Sequence, residues 1–194
     1  MKKLRRFGVS VLSALVIAVP AVSAKTITIK GSDTMVILGQ RWAEDYMKSH
    51  PGAIIQVTGG GSGTGIAALI NGATDIAEAS RPMKPEEKAS VKGKSGKEVR
   101  EIPVALDGLA IYVDRANSIE KITLAQAKGI YTGKITAWDA LGVKLGTIIA
   151  YGRENNSGTY AYFKEHVLKN ADFAPEILST SPSEATASAL VETI

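Results

Sequence analysis

The chain has 194 residues, 23 Lys plus Arg against 19 Asp plus Glu, and no cysteine. That length holds one sizeable domain or two small lobes. The missing cysteine excludes disulfides, thiolate metal sites and the thiol that a lipoprotein signal would acylate.

The first residues carry Lys2, Lys3, Arg5 and Arg6, then the apolar run "FGVSVLSALVIAVPAV", then "VSA" ending at Ala24. A basic start, a short apolar core and small residues describe a secretory signal peptide over residues 1–24, cleaved to leave Lys25 at the mature end. The apolar run falls short of the ~20 residues a membrane span needs. Removing those four basic residues leaves 19 charges of each sign. The basicity belongs to the leader and gives no support for nucleic-acid binding. A bacterial periplasm is the expected destination, with no lipid anchor.

Beyond the leader, "TITIK" reads as a short strand. A helix follows from Met35 to about Ser49, with Leu38, Trp42 and Tyr46 four apart and Ala43 and Met47 beside them. "AIIQVT" is the next strand and "GTGIAALI" the next helix, stopped by Gly72. "TDIAEAS" is a third short strand. Pro82 to Arg100 reads as a solvated connection holding one short polar helix. "EIPVALDGLAIYVD" then predicts a long β run bent near Asp107 and Gly108. Two short helices follow, "TLAQAKGIYTG" and "ITAWDALG", with Thr123 and Thr136 as N-caps. "GTIIAYGR" is a strand, "SGTYAYFKEHVLK" a helix, and "SEATASALVETI" a helical pattern at the end. Strands alternating with helices predict an α/β fold with open sheets. The polar run near residues 82–107 divides it into lobes at 25–103 and 104–194.

Three strand-to-helix turns share one grammar: "GSDT", "GGGSGTG" and "NSGT". A helix start presents unpaired N–H groups and partial positive charge. Ser or Thr adds hydroxyl donors, and glycine permits close backbone approach. Such turns sit at the carboxyl ends of strands, where open α/β sheets bind ligands. Converging, they would cage an oxyanion. Capping alone would account for any one of them, but it does not need the glycine density of residues 59–65. No nucleotide loop is present: Ile66 stands where "G-x-x-x-x-G-K-[ST]" needs lysine, and Thr64 where "G-x-G-x-x-G" needs its last glycine. Arg153 precedes the third turn and Arg81 follows Ser80. Either guanidinium suits a tetrahedral oxyanion, and either also suits a surface ion pair.

"KGSDTM", "GGGSGTGI", "ASRPMK", "YTGKITAW" and "RENNSGTYAYF", in this order and spacing, resemble the periplasmic phosphate-binding proteins of bacterial phosphate ABC transporters. The resemblance implies a two-lobed type II periplasmic-binding-protein fold that closes on one phosphate. By position it implies ligand roles for Ser32, Asp33, Thr34, Ser62, Ser80, Arg153, Ser157, Gly158 and Thr159, with Arg81 adjacent. It implies a monomer that captures inorganic phosphate, delivers it to a membrane permease, and uses no cofactor, metal or catalytic residue. Some members carry a carboxylate where Ser80 stands, which accepts the proton of hydrogen phosphate. Here Asp33 or Asp107 is left to supply that acceptor. Members of the family also run on to a glycine-containing strand that returns to the first lobe, so an incomplete second lobe is expected.

Two other classes share parts of this pattern. An exported serine hydrolase or phosphatase would use Ser62 or Ser157, but neither lies in a G-x-S-x-G elbow. The two histidines, His50 and His166, are read as surface residues, and no metal-ligand cluster occurs. A carrier for sulfate, or a signalling receptor of the same fold, would share the site.

Overall fold

The structure is a computed structural model and describes residues 26–180 and 191–192. The predicted leader lies outside the described residues, as does most of the final helical pattern.

β1 (Thr26–Gly31) is the middle strand of a parallel sheet, between β2 (Ile54–Thr58) and β3 (Ile76–Glu78). The β-branched run Thr26–Ile29 suits a strand flanked on both sides. Its register runs from Thr26 opposite Ile54 to Lys30 opposite Thr58, and Gly31 stands opposite Glu78. Parallel pairing forces a crossover after each strand. α1 (Asp33–Ser49) and α2 (Ser62–Ile70) make those crossovers, so both helices begin at the carboxyl edge of the sheet. Gly72, at φ +68°, turns the chain beyond Asn71 at the end of α2. α3 (Pro85–Ser95) is the predicted polar helix, and its Val91 joins Ile66 and Met83 in a small core.

α1 turns a different face to the sheet from the one its large residues predict. Gly39 and Ala43 are its buried positions, while Leu38, Trp42 and Tyr46 are exposed. The missing side chain at Gly39 leaves room for the Glu78 carboxylate that reaches across from β3. A side chain at Gly39 would collide with the Glu78 carboxylate. Met47 follows Ala43 on the packed side, and its Sδ accepts from Ile55 N at 3.4 Å.

The second half is built on β4 (Ile149–Arg153), parallel to β5 (Leu178–Thr180) and antiparallel to β6 (Val191–Glu192). β6 places two residues of the predicted C-terminal helix in a strand. α4 (Leu124–Tyr131) carries the predicted Thr123 cap, which accepts from Gln126 N at 3.1 Å and completes a capping box. Thr136 caps nothing: the segment after it is a 3₁₀ turn, Trp138–Leu141, and the Thr136 carbonyl accepts from Ile148 N instead. α5 (Gly158–His166) follows β4. Trp138, Tyr131, Ile130, Phe163, Leu168 and Ala150 form the larger core. Within it, Tyr131 and Phe163 meet edge to face at 4.6 Å.

The long β run predicted over residues 101–114 is not a strand. It joins neither sheet, and Ile102, Val104 and Leu106 are exposed, although Ile111 and Val113 pack on the larger core. Apolar alternation alone does not make a strand; a partner edge must be in register.

Glu78 Oε2 is buried with no hydrogen-bond partner among the described residues. Burial raises its carboxyl above the ordinary range. A raised carboxyl favours folding below its unfolded value, about 4.3, and that contribution is lost as pH rises through the folded value. Glu78→Gln is therefore expected to flatten the loss of stability as pH rises above the ordinary carboxyl range. Urea midpoints of both proteins over that rise check this.

Candidate functional site

The three strands of the first sheet end at one edge, and the serines that follow them meet. Ser32 follows β1, Ser62 opens α2 after β2, and Ser80 follows β3. Ser32 Oγ donates to Ser80 Oγ at 3.0 Å, and Ser62 Oγ lies 3.2 Å from the same oxygen. Ser80 N donates to Ser62 Oγ at 3.1 Å, and Thr34 Oγ1 lies 2.9 Å from Ser32 Oγ. Ser32 and Ser62 are buried to 2% and 0% exposure. Their hydroxyls therefore face inward, although a surface helix start needs no such burial.

The second sheet contributes from the opposite side. Gly158, the first residue of α5, abuts the cluster so closely that a Cβ there would overlap Ser80 Oγ and stand 2.5 Å from Ser62 Oγ. Only a glycine fits. Just ahead of it, Asn156 fastens the two turns together. Its carbonyl accepts from Gly63 N at 2.9 Å, and its Nδ2 donates to Gly60 O at 3.0 Å and Thr64 Oγ1 at 3.2 Å. Gly61, at φ +88°, adopts a backbone that other residues rarely take, and a Cβ there would stand 2.8 Å from the Asn156 carbonyl. Asn156 is absent from the sequence reading. The asparagine pair before "SGT" was its only signal, and no local rule says that one of them reaches residue 60.

Arg153 ends β4 with its side chain 10% exposed. Its Nη2 faces Asp33 Oδ2 at 3.4 Å and its Nε donates to Glu154 Oε2 at 3.3 Å. Asp33 also accepts from Gly60 N at 2.8 Å through Oδ1. First residue of α1, partner of the glycine loop and partner of Arg153, it ties three elements of the site. Asp107 is elsewhere, exposed and accepting from its neighbour Gly108 N.

Three predicted residues have other partners. Ser157 is buried, but its Oγ accepts from Thr159 N at 3.1 Å and Tyr160 N at 3.4 Å, so it caps α5. Thr159 takes part through that backbone N–H. Arg81 points away from the serines: both terminal nitrogens bond Glu87, at 2.8 and 2.9 Å, and Nη1 also donates to Pro82 O. Glu87 is the third residue of α3 and accepts from Lys84 N as well, which fixes it to receive the fork. A cavity of 330 Å³ lies on the Tyr160 and Phe173 side of Arg153, and none of the clustered serines lines it.

The histidines stand apart from the serines. His50 stacks on Tyr46 and His166 on Tyr162, both rings exposed, and each Nδ1 lies within hydrogen-bond distance of the carbonyl one turn back. No group of three metal-ligating side chains occurs among the described residues.

Donor turns from two α/β halves, facing each other at the ends of their strands, define a type II periplasmic binding-protein fold. The sequence profile of the PBP superfamily domain matches residues 18–193, and the chain belongs to that superfamily. Among its relatives is the phosphate-binding protein PstS of Pseudomonas aeruginosa, 35% identical, aligned over 76% of this chain and 49% of its own. PstS of Bacillus subtilis is 36% identical over 80% of this chain and 50% of its own. The chain thus spans about half the length of these relatives. A Clostridium perfringens substrate-binding protein solved with bound phosphate superposes with a TM-score of 0.73 at 28% identity, covering 88% of this chain and 75% of its own. An ABC-type phosphate transport receptor from Vibrio cholerae gives 0.64 at 33% identity, over 82% and 65%.

Since Arg81 is committed to Glu87, Arg81→Ala is expected to cost about 1.5–3 kcal/mol of folding stability. The Arg81 fork holds the Glu87 carboxyl below its ordinary range. That contribution is present above about pH 4.3 and lost as pH falls through the folded value. The gap between the two proteins should close in acid, which denaturant titrations at several pH values would reveal.

Proposed function

We propose that this chain is the phosphate-capturing part of an exported solute-binding protein that hands inorganic phosphate to the membrane permease of an ABC transporter. The observation that carries this reading is the meeting of Ser32, Ser62 and Ser80 oxygens within 3.0–3.2 Å, with the first residue of α5 pressed against them. Hydroxyls of the first half and the helix start of the second meet there, and Arg153, nine-tenths buried, pairs with Asp33 beside Ser32. Relatives named for phosphate binding and a fold neighbour solved with phosphate support the same ligand.

The chemistry suits a small tetrahedral oxyanion. A dehydrated anion is tolerated only where its oxygens find donors. Each hydrogen bond to it contributes roughly 1.5–3 kcal/mol. An anion entering here replaces the mutual hydroxyl bonds of the serines with bonds to its own oxygens. The hydroxyl protons can reorient to do so, because a hydroxyl both donates and accepts. The ligand also bridges the halves, so binding and closure of the two lobes are one event. The protein is read as a carrier: its relatives are named for binding, and His50 and His166 bond carbonyls of their own helices. Export through the basic and apolar leader fits the task, and the ABC-type transport receptor among its fold neighbours supports delivery to a permease.

Equilibrium dialysis with radiolabelled phosphate tests the reading on the chain starting at Lys25. Arg153→Ala is expected to weaken binding at least 100-fold, or about 2.7 kcal/mol; unchanged affinity refutes the site. Gly158→Ala should weaken it as well, because the added methyl pushes α5 off Ser80 and Ser62. Steady release of nitrophenol from p-nitrophenyl phosphate, abolished in Ser62→Ala, would establish a hydrolase instead.

A further inference from the structure

We infer that the 330 Å³ cavity beside Arg153 takes the organic substituent of a phosphate monoester or phosphonate whose phosphoryl group pairs with that arginine; the phosphoryl head rests on the phosphate reading above. The cavity lies at the ends of β4 and β5, which run parallel with Gly152 opposite Ser179 and Arg153 opposite Thr180. The carboxyl ends of parallel strands are where open α/β sheets bind ligands. Its volume stands at the lower end of small-molecule pockets, which span about 300–1,000 Å³. A lone tetrahedral anion would occupy only part of it.

The walls divide by chemistry. Arg153 and Glu154 stand at the end of β4, while Tyr160, Phe173, Ile177 and Leu178 make an apolar wall. Tyr160 and Phe173 stack with centroids 4.6 Å apart and planes at 24°. Phe173 in turn meets Tyr131 and Phe163 of the larger core at 6.0 Å, so the core fixes the aromatic wall before any ligand arrives. Gly152 lets that wall sit low on the strand, since a Cβ there would stand 3.2 Å from Ile177 Cγ2. Leu178 on β5 is exposed, so the apolar wall reaches the surface.

Arg153 can hold an anion here without giving up its other bonds. Its Nε bonds Glu154 at 3.3 Å and its Nη2 bonds Asp33 at 3.4 Å, while Nη1 makes no hydrogen bond among the described residues. Glu154 is the one acid among the lining residues, and its Oε2 is turned to that Nε. The phosphoryl oxygens accept from the guanidinium, and the substituent leaves water for the aromatic wall. That wall offers no partner to a second charge, so an uncharged body of a few carbons is the one it suits.

Isothermal titration with phenylphosphonate, methylphosphonate and inorganic phosphate tests this on the unsubstituted chain, on Leu178→Trp and on Tyr160→Ser. The two phosphonates share a head group and differ in the body the cavity would hold, and neither has an ester bond to hydrolyse. Phenylphosphonate is expected to bind the unsubstituted chain at least tenfold more tightly than methylphosphonate. Leu178→Trp fills the cavity and Tyr160→Ser removes part of its wall. Each should cut that preference at least fivefold and leave inorganic phosphate within twofold; if one variant fails to fold, the other decides. A preference below tenfold on the unsubstituted chain overturns the cavity's role, and phosphate binding there keeps the capture reading intact. A cut of less than fivefold in the folded variants overturns the location. Benzoate bound as tightly as phenylphosphonate overturns the phosphoryl class. Phenylphosphonate binding without inorganic phosphate binding overturns the phosphate reading and leaves the cavity's role standing; a chain that binds none of them overturns both.

Discussion

The arrangement depends on one close approach: the backbone of Gly158 against the hydroxyls of Ser62 and Ser80. Each half of the molecule has its own sheet and core, and each could pack its helices without the other. What makes a site of them is the absence of a side chain at that position. Asn156 holds the approach in place by bonding Gly60, Gly63 and Thr64. Gly61 and Gly63 thus serve an encounter between distant segments, while Gly65 lets α2 lie against the backbone of β1.

Charge is arranged with similar economy. Of the two arginines near the donor turns, Arg81 is neutralised by a bidentate Glu87, and Arg153 makes only longer contacts of 3.3–3.4 Å. A guanidinium held loosely can exchange its partners for an anion; one held in a fork is structural. The distinction comes from geometry, since both arginines stand in similar sequence surroundings, each within a few residues of a glycine or serine turn.

Much of this was legible in the sequence because the signals were local. Alternating "TITIK", the Thr123 capping box and the Ser-rich helix starts each report their own neighbourhood, and the strands and caps follow from them. The failures were all non-local. Leu38, Trp42 and Tyr46 made the more apolar row, yet Gly39 and Ala43 are the buried positions of α1, and close packing won. Arg81 looked like a ligand until Glu87, six residues on, took both its nitrogens. Thr136 had a cap's identity, but its segment closed as a 3₁₀ turn and its carbonyl went to Ile148. Residues 101–114 had the composition of a strand and no edge to join.

That last segment also bears on how the molecule behaves in company. Ile102, Val104 and Leu106 alternate along an exposed segment that neither sheet engages. Such a ribbon is a template on which strands from other molecules can add. Its charged borders, Arg100 and Glu101 on one side and Asp107 on the other, act as gatekeepers that discourage stacking of like ribbons. Salt that screens these side chains weakens the safeguard.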